Sequence, residues 1–449
     1  MNIALAHFRV GETDGVSLEM EKWRKVLEEM GHQVYYISGS STYGEIYIPE
    51  LNYRHPENES FVINGYDQLN DFTDELSYKK ALLAFAKRIE EKLEKAICKY
   101  EIDLLIPNNI WSLGWGLPAG IAFARAAKKL NIPCIAHHHD FYWERERYSH
   151  PTCTFVEEIL MNYFPPRDEF VTHVVINKIA QAELKNRKGL NSTVVPNVFD
   201  FKQPLWEIDQ YNQDFRARLG IGESDLVILQ ATRVAERKAI ELAIELVSEV
   251  DRRRADIIGQ LYDGRIFTEK SRIILLMAGL LEAEGKYIDF LKQLAAEKGV
   301  EVVWANSLIE ASRTEEEKKF YSLWDAYAIA DLITYPSILE GWGNQFLEGL
   351  FAKKPMVIFE YPVYQSDIKE KGFDVISLGD SYQYRENGYI QIPARRISSA
   401  ASEVIRYLKD GDYRQQAVER NFSLGEKYFS YQVLKNLLDD LLSKAISFT

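Results

Sequence analysis

Two rhythms alternate along this chain: short, nearly solid apolar runs, and longer stretches whose apolar positions recur every 3.6 residues. Residues 3–8 are a solid run and read as a buried parallel strand, with Gly11 and Gly15 punctuating the turn after it. Over residues 17–30, Leu18, Trp23, Val26, Leu27 and Met30 keep a helical period; Gly31 ends that helix and 34–38 resumes as a strand. The segment 39–74 is polar and aromatic without a clear period, and reads as an insertion or long loop. The stripe Leu82, Phe85, Ile89, Leu93 and Ile97 predicts a long helix over 78–100. Strands at 104–106, 134–136, 171–176 and 193–195 follow, with helices at 119–130 and 179–188.

A polar stretch over 196–209, opened by Pro196-Asn197, reads as a linker. Beyond it the alternation restarts, with strands at 226–231, 273–277, 302–305, 332–335 and 356–359 and helices at 240–250, 287–298, 315–329 and 345–351. The chain closes in a helix over 430–449, whose broad apolar face (Val433, Leu434, Leu437, Leu438, Leu441, Leu442) suits packing back onto the first half. Repeated βα units with solid apolar strands predict an α/β chain of two Rossmann-like domains. These are 1–197, near which the closing helix packs, and 198–429. Ligands of such sheets bind at the carboxyl ends of the strands.

Composition narrows the partners. The 449 residues are 46% hydrophobic and 27% charged, with a formal charge of −13, which disfavours nucleic acid. The longest apolar run, 273–281, is shorter than the ~20 residues of a membrane-spanning helix. The opening MNIALAHFRVGETDG lacks a basic n-region and a small-residue cleavage site. Three cysteines with no Cys-x2-Cys spacing suit a reducing compartment. The expectation is an acidic cytoplasmic protein without integral membrane association; nothing bears on oligomeric state.

The richest stretch for chemistry is SILEGWGNQFLEGLFAKKP (337–355). A strand ends at Pro336, a turn holds Gly341 and Gly343, and a helix opens near Asn344, so free backbone N–H groups and the helix dipole offer an anion site. Glu340 precedes that helix and Glu348 follows eight positions on. Carboxylates beside a phosphate cradle make sense as acceptors from hydroxyls. This stretch resembles the Glu-x7-Glu signature of the family 4 retaining glycosyltransferases, and YAIADLITYPS resembles that family's lead-in. The resemblance implies the GT-B fold, two Rossmann-like domains facing across an interdomain cleft. It implies that Glu340 reads hydroxyls of the donor sugar, that Glu348 holds the nucleotide ribose, and that Gly341, Gly343, Asn344 and Gln345 contact the donor.

After the first strand of the second half comes ATRVAERKAIELAIELV, where the family places an Arg and a Lys on the donor diphosphate. Arg233 and Lys238 fit that role, with Arg237 as an alternative; fixed cations stabilise the charge that develops as the glycosidic bond breaks. Where the family usually has Lys-Gly, this chain has Lys238-Ala239. In the first half, the Gly11–Gly15 loop stands where the family's glycine loop approaches the donor, which makes Gly15 a candidate donor contact. The run CIAHHHDFYWERERYSH follows a strand. Metal is disfavoured there because His137, His138, His139 and Asp140 point alternately on an extended segment. By resemblance His139 faces the donor sugar; Asp140 follows it, and Trp143, Glu144, Arg145 and Arg147 lie beyond the strand where an acceptor would sit, with Asp140, Trp143, Arg145 and Arg147 as its candidate contacts and a surface salt-bridge loop as the equal reading. PNVFDF (196–201) resembles the family's hinge, and 356–372 lacks the Gly-rich loop of many relatives.

The implied activity is retaining transfer of a hexosyl group from a nucleotide-diphosphate sugar, of GDP-mannose or UDP-glucose type, to a small soluble acceptor. HHHDFYWERERYS and EYPVYQSDI resemble enzymes that build compatible solutes, which points to an anionic acceptor such as glucosylglycerate. The alternatives are a cell-envelope polysaccharide or glycolipid transferase, or a sugar-nucleotide hydrolase or epimerase of the same fold. No tightly bound cofactor is expected; Mg2+ is compatible with the motifs without being required by them.

Overall fold

The solid apolar runs become the strands of two parallel sheets in the computed structural model, which describes residues 1–11, 14–40, 45–281, 285–315 and 317–446. The chain divides into two units, Met1–Val198 with Tyr431–Thr449, and Phe199–Ser430.

In the first unit, β1 (Asn2–His7), β2 (Gln33–Ser38), β3 (Ile46–Tyr47), β4 (Leu104–Pro107), β5 (Cys134–His138), β6 (Val171–Val175) and β7 (Thr193–Val194) form one sheet. Its order is β3-β2-β1-β4-β5-β6-β7, parallel throughout. Helices α1 (Gly15–Glu29), α2 (Pro56–Val62), α3 (Glu75–Lys99), α4 (Leu117–Leu130), α5 (Thr154–Tyr163) and α6 (Lys178–Lys188) connect the strands. Side chains alternate across the pleat: Ile3 and Leu5 enter one core with Trp23, Val26 and Leu27 of α1, while Ala4 and Ala6 enter the opposite core with α3 and α4. The small residues on β1 leave room for the bulky stripe of α3, including Phe85 and Ile89.

The second unit repeats the plan. β8 (Leu226–Gln230), β9 (Ile273–Met277), β10 (Glu301–Trp304), β11 (Leu332–Tyr335), β12 (Met356–Ile358) and β13 (Ile376–Ser377) pair in parallel in the order β10-β9-β8-β11-β12-β13. Beyond a single turn at Phe215–Arg218, its helices are α7 (Ile240–Arg252), α8 (Lys286–Lys298), α9 (Leu323–Ile329), α10 (Asn344–Phe351), α11 (Ala394–Lys409) and α12 (Gly411–Phe429). The closing helix α13 (Tyr431–Ile446) belongs to the first unit, where Leu434, Leu438, Leu441 and Leu442 join the α1 core; residues 447–449 lie outside the described residues.

Three expectations need correction. The segment 39–74 is not a plain loop: it carries β3, α2 and a wide helical turn at Ile63–Asp67, and Phe61, Val62 and Tyr66 are core; its residues 41–44 lie outside the described residues. The helix expected over 315–329 begins only at Leu323, because Ser322 and Asp325 form a reciprocal cap there; residue 316 lies outside the described residues. The linker over 196–209 is partly core, with Phe199 5.1 Å from the Phe351 ring and stacking between Trp206 and Trp324 at 4.0 Å. Among the described residues no helix is long and apolar enough to cross a membrane.

Candidate functional site

The carboxyl ends of the second unit's central strands gather the Glu-x7-Glu residues. β8 ends at Gln230, whose buried amide donates to Thr232 Oγ1 (2.6 Å) and accepts from Thr334 Oγ1 (2.7 Å), tying the loop after β8 to β11. The loops after β8 and β11 also pair directly, Ile338 N–H donating to Arg237 O at 3.0 Å. The loop after β9 presses from the other side: a Cβ on Gly279 would lie 1.8 Å from Thr232 O.

This bracing sets Lys238 Nζ on Glu340 Oε1, with the two side chains only 10% and 12% exposed. An ammonium has three donors, so contact with one carboxylate leaves two for another anion. Glu340 faces the buried Tyr335, whose ionisation is held far above the ordinary range first by burial and then by that carboxylate. Tyr361 OH donates to Trp342 O at 3.0 Å. Gly343 sits against both phenols: its φ is +119°, and a Cβ there would lie 2.3 Å from Tyr361 Oη and 2.8 Å from Tyr335 Oη. Only glycine meets both demands.

Gly343 precedes α10 and gives it no side-chain cap; Phe346 N–H donates back to Gly343 O at 3.0 Å, and the positive end of the helix dipole lies at this turn. Asn344 and Gln345 open that turn and Gly341 is exposed beside it. Gln345 Nε2 and Oε1, Trp342 Nε1 and Ser337 Oγ are buried without hydrogen-bond geometry to any neighbour. Glu348, one turn further, accepts from the fully buried Tyr327 OH at 2.6 Å. Arg233 is partly exposed and Arg237 exposed on the loop that carries Lys238. Ala239, standing where the family usually has glycine, is in the left-handed region at φ +48°.

In the first unit, β5 delivers three histidines in alternating directions. His137 stacks on Trp23 (4.3 Å between rings), and His138 Nε2 turns to His173 Nδ1 at 3.1 Å. His139 Nε2 meets Asn108 Oδ1 at 3.2 Å, which assigns the proton to Nε2 and leaves Nδ1 as an acceptor. Burial pushes His139 down to about 3, although part of the residue reaches the surface, so the ring is neutral near pH 7. Asn109, at φ +56°, receives His139 N–H on Oδ1 (2.8 Å) and donates from Nδ2 to Asp140 Oδ1 (2.7 Å). Among the described residues no group of three or more His, Cys, Asp or Glu could hold a metal ion.

The four acceptor candidates do not converge. Arg145 pairs with Asp140, and Arg147 Nε donates to Asp67 at 3.1 Å. Trp143 lies flat on Phe141 (4.3 Å) with Arg187 over its ring, on the α6 side. Gly15 begins α1, and a Cβ there would touch nothing, so neither backbone nor packing requires glycine; residues 12–13 of its loop lie outside the described residues. Sequence reasoning missed Asn108 and Asn109, although a polar pair directly after the apolar run LLIP marks a strand's carboxyl end. It also missed Tyr327, Tyr335 and Tyr361, which in sequence look like core.

Residues 212–423 match the family described as Glycosyl transferases group 1. The chain is 45% identical over 431 residues to the mannosylglucosylglycerate synthase of Petrotoga mobilis, spanning 96% of this chain and 98% of that protein. It is 43% identical over 449 residues to the protein of the same name from Thermotoga maritima, spanning 98% and 99%. Among solved structures, a glycosyltransferase from Rickettsia africae shares the fold with a TM-score of 0.63 at 12% identity, over 99% of this chain and 98% of that one.

Proposed function

The chain belongs to the group 1 glycosyl transferases and has their GT-B fold, and from that premise we propose that it transfers a mannosyl group, with retention, from GDP-mannose to a hydroxyl of glucosylglycerate. The observation that carries the reading is the contact between Lys238 and Glu340 beside the uncapped start of α10, in a chain alike over nearly its full length to two mannosylglucosylglycerate synthases.

In this reading the diphosphate takes the first-turn amides of α10 and the charges of Arg233 and Lys238. These preorganised donors and cations stabilise the leaving group as the anomeric carbon–oxygen bond breaks. Glu340 accepts from hydroxyls of the mannosyl ring, and Glu348, fixed by Tyr327, accepts from the ribose. Neutral His139 accepts at Nδ1 from a hydroxyl of the transferred sugar. The acceptor oxygen bonds to the anomeric carbon on the face the diphosphate leaves, and a diphosphate oxygen takes the acceptor's proton, so no protein nucleophile is assigned. With two cations on the diphosphate, Mg2+ is an aid rather than a requirement.

The test is a thermal-shift series with GDP-, UDP- and ADP-sugars, then incubation of the best donor with glucosylglycerate, glycerate and lipid-linked acceptors. Anomeric configuration of the product is read by NMR. A ligand at a hundred times its Kd adds about 2.7 kcal/mol, a readily visible shift. No shift with any nucleotide sugar, or an inverted product, overturns the reading.

A further inference from the structure

The carboxyl end of β4 holds a residue that meets two histidines at once. Asn108 follows β4 between β1 and β5: its N–H donates to Ala6 O at 2.7 Å, and the next amide, of Asn109, donates to His137 O at 3.0 Å. Its carbonyl accepts from His7 Nδ1 at 2.8 Å, and its side-chain Oδ1 faces His139 Nε2 at 3.2 Å. Its Nδ2 donates to Ile106 O at 3.0 Å, which settles which way the amide points. Every polar group of Asn108 is therefore engaged inside the protein, and the residue is 1% exposed. A carbonyl oxygen only accepts, so His7 carries its proton at Nδ1 and His139 at Nε2. The acceptor nitrogens are then Nε2 of His7 and Nδ1 of His139; of the two rings, His7 is buried and His139 reaches the surface.

We propose that Asn108 is a positioning residue for the transfer, holding His139 in the one tautomer that accepts a hydroxyl of the mannosyl ring; this rests on the reading of His139 as the group that faces the transferred sugar. His7 steadies the Asn108 peptide from the β1 side, and Asn109 steadies the His139 backbone by accepting its N–H at 2.8 Å. The Asn108 amide matters because it is uncharged. Burial is the main force that keeps a second proton off His139; His7 acts in the same sense, and the Asp14 carboxylate at the start of α1 acts against it. On β5 itself the His137 ring stands 4.1 Å away, while Asp140 just beyond is taken up by Asn109 and Arg145. A carboxylate at position 108 would tip this balance towards an imidazolium. That form has no acceptor nitrogen, and its charge would oppose the positive charge that gathers on a sugar ring as the anomeric bond breaks.

The experiment reads the tautomer and the pH dependence together. Long-range proton–nitrogen NMR spectra of the wild type, labelled with heavy nitrogen in its histidines, distinguish a protonated ring nitrogen from a bare one; His7→Asn and His139→Asn assign the two rings. The expected pattern near neutral pH is Nε2–H for His139 and Nδ1–H for His7. Initial rates with GDP-mannose and glucosylglycerate are then compared at pH 8 and pH 5 for the wild type, Asn108→Asp and Asn108→Leu, with melting temperatures to report folding. A carboxylate beside an imidazole raises its titration by about 1–3 pH units. From about 3 in the wild type, a rise of about two leaves His139 half charged at pH 5. The ratio of kcat/KM at pH 8 to that at pH 5 should therefore be larger in Asn108→Asp than in the wild type by about twofold or more. Asn108→Leu removes the acceptor without adding charge, and should lose about tenfold equally at both pH values. An Nδ1–H tautomer for His139 in the wild type overturns the positioning role even where Asn108→Asp does not fold. A loss in folded Asn108→Asp that is the same at both pH values overturns it too, and either result leaves the transferase reading in place. A wild type that forms no product from these substrates overturns that reading, and the role with it.

Discussion

The Tyr327 hydroxyl donates to Glu348 Oε2 across 2.6 Å, so a fully buried phenol aims the second carboxylate of the Glu-x7-Glu pair. The first carboxylate, Glu340, is aimed by Lys238 and by the wall of Tyr335. Both acceptors are therefore fixed from behind by side chains of α9, β11 and the loop after β8. A carboxylate so held loses less freedom when it binds a hydroxyl.

Removing the phenol's oxygen should loosen only what Glu348 does. We expect Tyr327→Phe to weaken GDP binding about five- to tenfold, or about 1–1.4 kcal/mol, a part of the worth of one charged hydrogen bond because the phenol acts only through Glu348. Binding of 2′,3′-dideoxy-GDP, which has no ribose hydroxyl to offer, should be equal in variant and wild type. Calorimetric titration of both nucleotides decides it; equal weakening of both would mean general damage to the unit.

The Lys238–Glu340 pair is nearly sequestered, so deleting one member strands the other's charge. Lys238→Met and Glu340→Gln should each destabilise by roughly 2 kcal/mol or more and lower turnover by at least about a hundredfold. The double variant should be less destabilised than the sum of the two. Urea unfolding of the four proteins, with initial rates on GDP-mannose, measures both; strict additivity would show that the contact is not formed in solution.

Most of both sheets is legible in the sequence because solid apolar runs such as residues 273–277 leave little choice but a buried parallel strand. The segment 39–74 is not, because α2 spans only Pro56–Val62 and passes into a wider turn, too short to establish a period. β13 escapes for the same reason, having two residues. Glu340, Lys238 and Glu348 stand out only through the resemblance of their stretches to the family's motifs, and the structure sets Lys238 against Glu340. The tyrosines behind them do not stand out: Tyr327 and Tyr335 lie in the run YAIADLITY, where a phenol reads as bulk, and only tertiary pairing shows that a hydroxyl meets a carboxylate.

Ala239 holds φ +48° at full burial, a conformation that burdens every residue with a Cβ. Ala239→Gly should remove that strain, offset in part by the greater freedom of glycine in the unfolded chain, for a net gain of roughly 0.5–1 kcal/mol. Gly343→Ala is the converse, adding a Cβ at φ +119° against two phenols, and should lower the melting temperature and abolish transfer. Calorimetric melting of both variants checks the pair; a destabilised Ala239→Gly would show that the methyl group's packing outweighs its backbone strain.

The first unit buries His7, His137, His138 and His173 and partly buries His139, all in their neutral form. Burial lowers His7, His137 and His138 below the ordinary histidine value, takes His139 down to about 3 and His173 to about 4. Unfolded histidines titrate near ~6.5, so above that pH folded and unfolded chains bind the same protons at these sites and stability is flat. As pH falls below it, the unfolded chain takes up protons the folded chain refuses. Stability should then drop by about 1 kcal/mol per pH unit for each histidine still neutral in the folded state. Between pH 6.5 and 5 most carboxylates stay ionised in both states; Glu144, which burial raises to about 7, holds its proton in the folded chain and works in the opposite sense, so the share of one histidine is read by comparing a variant with the wild type. Urea unfolding across pH 6.5 to 5 should give a decline that is shallower by about one proton in His173→Asn than in the wild type. A stability profile level down to pH 5 would mean that these rings are charged, or solvated, in the folded protein.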